Sequence, residues 1–239
     1  MVSKGGMVQD LHVDGTIVSE YKYAGGICGR NKGTISNCTV SGTISCNEIY
    51  VGGICGENTC IISNCRVSAN VSSTSRLVGG ITGQNTGAGT ITNCWVSADV
   101  SSNWTGSGYA KVGGIAGENN GTIEYCCMTG NVTNYDDNVA GIAGDNNNST
   151  ISHCVFYGIL YRSTSEDYQN DNIQLNADLS VTQMIGTTEA NPSAAISLAM
   201  VTRCRSLYPT PTRSIPKMYH GEVCHRSTTL RTPPSATLT

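Results

Sequence analysis

The constraint that governs this chain is self-similarity at a fixed offset. Ala24-Gly25-Gly26-Ile27-Cys28-Gly29-Arg30-Asn31 opens a block that closes with Ile35-Ser36-Asn37-Cys38-Thr39-Val40-Ser41-Gly42-Thr43-Ile44, and the block returns in degenerate form until residue 160. Coils run over residues 24–44, 51–71, 78–100, 112–132 and 139–160, the first two offset by 27. Val8, Asp10, Leu11, Val13, Gly15 and Ile17 precede their counterparts in the first coil by the same 27, so half a coil leads the array. The extra residues fall within Thr86–Gly89, near Asn148, and in the eleven-residue connection 101–111, where the other connections have six. A period of this length with insertions at fixed points describes stacked units whose loops lie on an edge.

Within a coil the alternation is that of strands. Cys38, Val40, Gly42 and Ile44 fall on one face, and Thr39, Ser41 and Thr43 on the other. Upstream, Ile35 and Asn37 share a parity, so the inward side changes between Asn37 and Cys38 with no inserted residue. That requires a bend, and Asn tolerates the left-handed conformation of a tight bend. The Gly-Gly-Ile-x-Gly block reads as a third short strand, with Ile27, Ile54, Ile81, Ile115 and Ile142 as its core ladder and glycines for corners or close approach. Asn31, Asn58, Asn85, Asn119 and Asn146 form an unbroken ladder of amides able to bond along the stack and satisfy a corner. The expected fold is all-β: a parallel β-solenoid of about five coils, right-handed by the usual preference of parallel crossovers.

Composition agrees. Charged residues are 13% and there is a single Phe against 28 Gly, so the core must be layered from small and β-branched side chains. Twelve cysteines would ordinarily suggest a disulfide framework. Cys38, Cys65, Cys94, Cys126 and Cys154 occupy one repeat position, however, and Cys28 and Cys55 another. Parallel stacked side chains are poorly disposed for disulfide geometry, so these are expected as buried thiols. Residues 1–200 carry 8 basic and 16 acidic side chains, which disfavours nucleic acid. Residues 201–239 carry 6 and 1, without a dense basic run. No apolar stretch is long enough for a membrane-spanning helix, and no signal peptide is visible at residue 1. With the repeat under way by residue 8, the chain reads as a piece of a larger parent.

At Val51-Gly52-Gly53-Ile54-Cys55-Gly56 and Gly121-Thr122-Ile123-Glu124-Tyr125-Cys126 the sequence resembles the GLUG motif over residues 8–160. Tyr125 and His153 depart from the bend Asn of that motif, and Ala140 from a Gly. The resemblance implies a bacterial cell-surface or secreted solenoid, as in adhesin-like proteins and regions of IgA-specific metallopeptidases, located outside the cell. It implies no catalytic residue.

The domain expectation is a solenoid over 1–160, a connector and C-terminal cap over 161–201, and a Ser/Thr/Pro/Arg-rich tail over 202–239 expected to be disordered. All six prolines follow residue 160, and a frameshifted gene end is the competing explanation of that change. Ala194–Val201 is compatible with a short helix. On the last long strand Val155, Tyr157 and Ile159 replace outward polar residues. A strand apolar on both faces expects cover, and Ile173, Leu175, Leu179, Ile185, Ile196 and Leu198 could supply it.

Site candidates are sparse. Trp95 is expected exposed at mid-strand beside Arg66 and Asp99, with Trp104 and Tyr109 in the long loop, together suiting sugar stacking and hydroxyl recognition. The competing reading has the loop aromatics folding back over Trp95. Asp99 with Glu124, or Asp136 with Asp137, are the nearest approaches to a hydrolytic pair, and solvated acids explain them better. Asp136-Asp137-Asn138 lacks the nonapeptide of calcium-binding rolls, and residues 85–89 lack the Lys of a phosphate loop. Cys204, His220, Cys224 and His225 match zinc ligands in type and not in spacing. Sequons such as Asn131-Val132-Thr133 are expected by chance in so Asn/Ser/Thr-rich a chain. No cofactor or metal is expected, and partners would be host or cell-wall glycans or surface proteins. The leading expectation is a non-catalytic structural or adhesive segment. The alternative is a polysaccharide-degrading enzyme on a parallel β-helix.

Overall fold

The computed structural model describes residues 1–106, 108–134, 138–147, 149–156, 158, 160–162 and 168–170. These lie in one compact unit, Met1–Pro209. Each coil contributes to four sheets, and every pairing between coils is parallel and keeps the repeat register. Sheet I holds Ala24–Gly25, Val51–Gly52, Leu77–Gly79, Lys111–Gly113 and Asn138–Ala140. Sheet II holds Cys28–Asn31, Cys55–Asn58, Thr82–Asn85, Ala116–Asn119 and Ala143–Asn146. Sheet III holds Met7–Gln9, Thr34–Ser36, Ile61–Ser63, Thr90–Thr92, Thr122–Glu124 and Thr150–Ser152. Sheet IV is the widest, with 11 strands beginning at His12–Ser19 and Thr39–Cys46.

Two features differ from the sequence expectation. The glycine block is two strands meeting at a corner, so a coil has four sides. The long strand is continuous in the first two turns and divides afterwards, as in Arg66–Val67 and Asn70–Ser73. The division falls in the column of Gly15 and Gly42, whose φ values of 143° and 102° mark a local kink.

The inward change of side is made as expected. Asn37, Asn64 and Asn93 have φ of 54°, 54° and 53°, and Asp10, Tyr125 and His153 hold the same conformation in their coils. Tyr and His there have backbones that L residues seldom adopt, and the Tyr125 N–H is paired to the next coil, to the Ser152 carbonyl at 3.1 Å, as the Asn residues of the earlier bends are. A second left-handed corner occurs at Tyr23 and Tyr50, φ 68° and 70°. No repeat glycine or Asn announces it.

The core is a set of columns. Ile35, Ile62, Ile91 and Ile123 are fully buried, as are Val51, Val78 and Val112 on sheet I. Val40, Val67 and Val96 are followed in their column by Met128 and Phe156, all buried. Phe156, the single Phe, thus closes the apolar interior at the last coil.

The lower edge of sheet IV continues through Leu160–Arg162 into Tyr168–Asn170, which pairs with it antiparallel, Leu160 opposite Asn170. Val155 is buried, as expected for a covered strand. Tyr157 and Ile159, residues 171–239 with the helix expected at Ala194–Val201, and the apolar set from Ile173 to Leu198 lie outside the described residues. At the other end Val2 bridges to Asn31, its N–H to the Arg30 carbonyl at 2.9 Å, so the leading partial turn begins six residues before Val8, where its apolar pattern starts.

Candidate functional site

The amide ladder is complete. Nδ2 of Asn31 donates to Oδ1 of Asn58 at 2.8 Å, Asn58 to Asn85 at 2.9 Å, Asn85 to Asn119 at 2.8 Å and Asn119 to Asn146 at 2.8 Å. The second Nδ2 hydrogen serves the corner backbone, as from Asn58 to the Cys60 carbonyl at 3.0 Å. Oδ1 also accepts from the backbone two residues on, as from Gly33 N–H to Asn31 at 3.1 Å. Asn31, Asn58, Asn85 and Asn119 are fully buried. Each amide therefore uses both donors and its acceptor, and the ladder is structural.

The cysteine column is buried, and none of the ten cysteines among the described residues is joined in a disulfide. These thiols are more than small hydrophobes. Each donates to the carbonyl two residues before it across the left-handed bend: Cys38 to Ser36 at 3.2 Å, and Cys65, Cys94, Cys126 and Cys154 to their equivalents at 3.3 Å. A weak S–H donor that also fills an apolar slot suits this place better than Ala or Ser. Burial pushes the Cys126 thiol well above its ordinary range, and its neighbours Cys154 and Cys94 act in the same direction. Burial does the same at Cys55.

The sequence also holds a corner device not recognised from it. Cys46, Ser73, Ser102 and Asn134 share a column at the end of sheet IV. Ser73 Oγ donates to the Cys46 carbonyl at 2.8 Å and accepts from Ser75 N–H at 2.9 Å. Ser102 repeats this with the Ser75 carbonyl at 2.7 Å and Trp104 N–H at 3.2 Å. The only sequence signal was a small polar side chain recurring at the repeat offset.

Of the five residues expected to bind a ligand, the structure brings Arg66 and Trp95 together and buries the ring. Trp95 is 3% exposed, which corrects the expectation of an exposed mid-strand ring. Arg66 lies over it at 4.5 Å from the centroid, and its Nε1 donates to Thr129 Oγ1 at 3.2 Å. Outward pointing did not suffice for exposure, because a long cation from the coil above lies along the ring. Trp104 is half-buried against the core, its Nε1 donating to the Gly108 carbonyl at 2.9 Å. Tyr109 is exposed, and so is Asp99, whose Oδ1 accepts from Asn131 N–H at 2.9 Å. Glu124 sits on sheet III with Ser152 Oγ at 3.2 Å, while Asp99 lies in the break between the sheet IV strands Trp95–Val96 and Val100–Ser102, so the two are on different sides of the coil. Asp136, Asp137, Cys204, His220, Cys224 and His225 fall outside the described residues.

The charged rank that the sequence did not single out lies on sheet II. Arg30, Glu57, Gln84, Glu118 and Asp145 are in register on successive coils. Arg30 pairs with Glu57 through Nε and lies 4.6 Å from the ring centroid of Tyr23, which stacks on Tyr50 at 4.8 Å. Lys111 Nζ bridges Glu118 Oε2 at 3.0 Å and Asp145 Oδ2 at 2.6 Å. Burial opposes ionisation of Glu118, but hydrogen bonds from Asn120 and Lys111 outweigh it and hold the carboxyl below its usual range. Every carboxylate of the rank thus has a cationic partner, Arg30 of the same rank for Glu57 and Lys111 from the adjacent column, shared by Glu118 and Asp145. Among the described residues, no cluster of three or more His, Cys, Asp or Glu is arranged to hold a metal ion.

Comparison with known proteins places this architecture. The GLUG motif matches residues 20–45, 47–72 and 74–101, so these three turns are GLUG repeats. No curated protein matches the sequence. A solved structure, that of a "putative immunoglobulin A1 protease from Bacteroides ovatus", is similar at 21% identity and a TM-score of 0.46. The match covers 70% of this chain and 63% of that one, less than two thirds of its length.

Proposed function

We propose that this stack, three of whose turns are GLUG repeats, is a non-catalytic structural and adhesive segment of a bacterial cell-surface or secreted protein. It would serve as a spacer and offer an outward face to glycans or surface proteins. One observation carries the reading: the side chains with distinctive chemistry are replicated from coil to coil and satisfied within the stack, the amides by their counterparts above and below and the thiols within their own bend. The amides bond to amides, and the thiols to carbonyls of the same bend. Chemistry repeated at every level and used up in holding the levels together serves length and surface rather than one reacting centre.

A second reading has one observation in its favour. Glu57, Glu118 and Asp145 share an outward rank with Arg30, and an acid-lined groove is how a parallel β-helix would cleave polysaccharide. Their ion pairs stand against it. A glycan array run beside a reducing-sugar release assay separates the two. Retention without release is expected, and release abolished by Glu118→Gln would replace the adhesive reading with the enzymatic one.

A further inference from the structure

Sheet III presents the most regular polar surface of the molecule. Its strands are three residues long, with the middle residue inside, so the two flanking residues of every coil face outward. Exact pairing aligns them in two ranks. One reads Thr34, Ile61, Thr90, Thr122, Thr150, and the other Ser36, Ser63, Thr92, Glu124, Ser152. Eight of these ten side chains are hydroxyls. They repeat along the stack at about 4.8 Å and across a strand at about 6.6 Å.

Two independent observations distinguish this face. On sheet IV only part of the outward hydroxyls are used internally, as Ser41 to Asp14 at 2.6 Å, Thr43 to Thr16 at 3.3 Å and Ser68 to the Val40 carbonyl at 3.5 Å. On sheet III only Ser152 finds a protein partner among the described residues, Glu124 Oε1 at 3.2 Å. The remaining hydroxyls keep their donors and acceptors for something outside the chain. At the border of the face the left-handed bend sets out a stacked aromatic pair, Tyr125 and His153, with ring centroids 4.7 Å apart and Tyr125 exposed.

We infer that sheet III binds a neutral, extended polysaccharide, running along the solenoid axis with one sugar per coil. This rests on the adhesive reading and names its face and ligand class. A β-(1→4)-linked pyranose ribbon advances by one sugar in little more than the inter-strand spacing, with alternate sugars turned over, so equivalent hydroxyls meet the Thr and Ser ranks at every second coil. The face carries one formal charge in ten positions, Glu124, which suits a neutral chain and not a polyuronate. The Thr methyl groups and Ile61 supply apolar contact for the sugar's C–H edges. The Tyr125 ring adjoins the ranks as a stacking surface of the kind aromatic side chains offer to sugars.

The test uses the full chain with cellohexaose as probe and polygalacturonate as the charged control. Cellohexaose is expected to bind and polygalacturonate not. The variant with Thr34, Thr90, Thr122 and Thr150 each replaced by Val keeps β-branched shape on an outward surface. It should fold as the parent does and bind at least about tenfold more weakly, since several few-fold hydrogen bonds are lost together. Ile61→Thr completes the first rank and should tighten binding about threefold. A folded quadruple variant that binds cellohexaose as well as the parent overturns the inference, and so does an Ile61→Thr protein with unchanged affinity. A parent that binds only other glycans or proteins overturns the inference while leaving the adhesive reading standing. A parent that binds none removes both. Inhibition of ice growth without cellohexaose binding would give the ranks to a water lattice instead.

Discussion

Val96 occupies the space that a side chain at Gly80 would need: its Cγ1 lies 2.8 Å from where a Cβ would stand. The same relationship joins Gly53 to Val67 at 2.6 Å. The second glycine of each block is therefore a recess for the apolar column across the coil. Gly80→Ala should destabilise by about 1–3 kcal/mol through overpacking. The next coil's backbone closes the places of both the first and the second glycine, and a Cβ at Gly80 would also run into the Gly114 carbonyl oxygen. A Cβ at the first glycine, Gly52, Gly79 or Gly113, would come 2.5, 2.7 or 2.8 Å from the Cα of Thr82, Ala116 or Ala143. Ala140 holds that place in the last coil, beyond which the described residues provide no further Cα to meet. Chemical denaturation should show a clear loss for Gly113→Ala and almost none for Ala140→Gly.

The amide ladder makes a second expectation. Asn58→Ala leaves the Asn31 donor, the Asn85 acceptor and the Cys60 carbonyl and N–H without their partners at one buried corner. The cost should be about 1–3 kcal/mol, read as a lowered melting temperature. Asn146, half-buried at the last rung, should cost less. Equal effects at the two positions would contradict a ladder satisfied by neighbours on both sides.

Thiol labelling gives a third. Cys60 is half-exposed, whereas Cys38, Cys65, Cys94, Cys126 and Cys154 are at most 1% exposed. Among these six, native-state modification should begin at Cys60, with the column reacting only on unfolding. Fast labelling of Cys65 or Cys94 would show that the bend does not hold the thiols inside.

The ion-pair group on coils four and five responds to pH. The Glu118 carboxyl lies below its ordinary 4.5, so its contribution is full above that value and disappears as pH falls through the lower folded one. Burial opposes the charge of Lys111, but Asp145 and Glu118 raise its pKa above the ordinary 10.5. Its contribution is therefore complete below 10.5 and is lost as pH rises through the higher folded value. Glu118→Gln should lower stability at neutral pH by about 1 kcal/mol or less. It should also flatten the acid limb of the stability profile.

Truncation tests the lower end. Ending the chain after Val201 should leave folding nearly intact. Ending it after Leu160 removes Tyr168–Asn170 and exposes the strand edge it pairs, a template for association. Light scattering should register aggregation of the shorter chain alone. A shorter chain more stable than the longer would favour a frameshifted origin for residues beyond 160.

Most of the scaffold was legible because a solenoid turns sequence period directly into contact: residues one period apart are neighbours. The offset of 27 between Asn31 and Asn58 is itself the hydrogen bond between them. The bend at Asn37 was legible for a related reason, since a change of inward parity without an inserted residue admits only a special backbone angle. What escaped notice depended on the reach of long side chains. Lys111 between Glu118 and Asp145 joins residues with no common period, and Arg66 over Trp95, though within one column, depends on which way a long side chain lies. Long side chains can swing to either side of a rank, and parity does not encode which. The corner at Tyr23 and Tyr50 was missed because aromatic residues carry no turn signal of their own.

The confinement of length variation to corners has a genetic corollary. Residues added within Thr86–Gly89 leave the register of Thr90 with Ile61 and Thr122 unaltered. An unequal crossover displaced by one period would likewise delete or duplicate a whole coil while every rung found an equivalent partner. Such a gene would change the reach of its product in quanta of about 4.8 Å, with no intermediate that must repack. Populations carrying it should segregate alleles differing by whole periods, and frame-preserving indels elsewhere in the array should be rare.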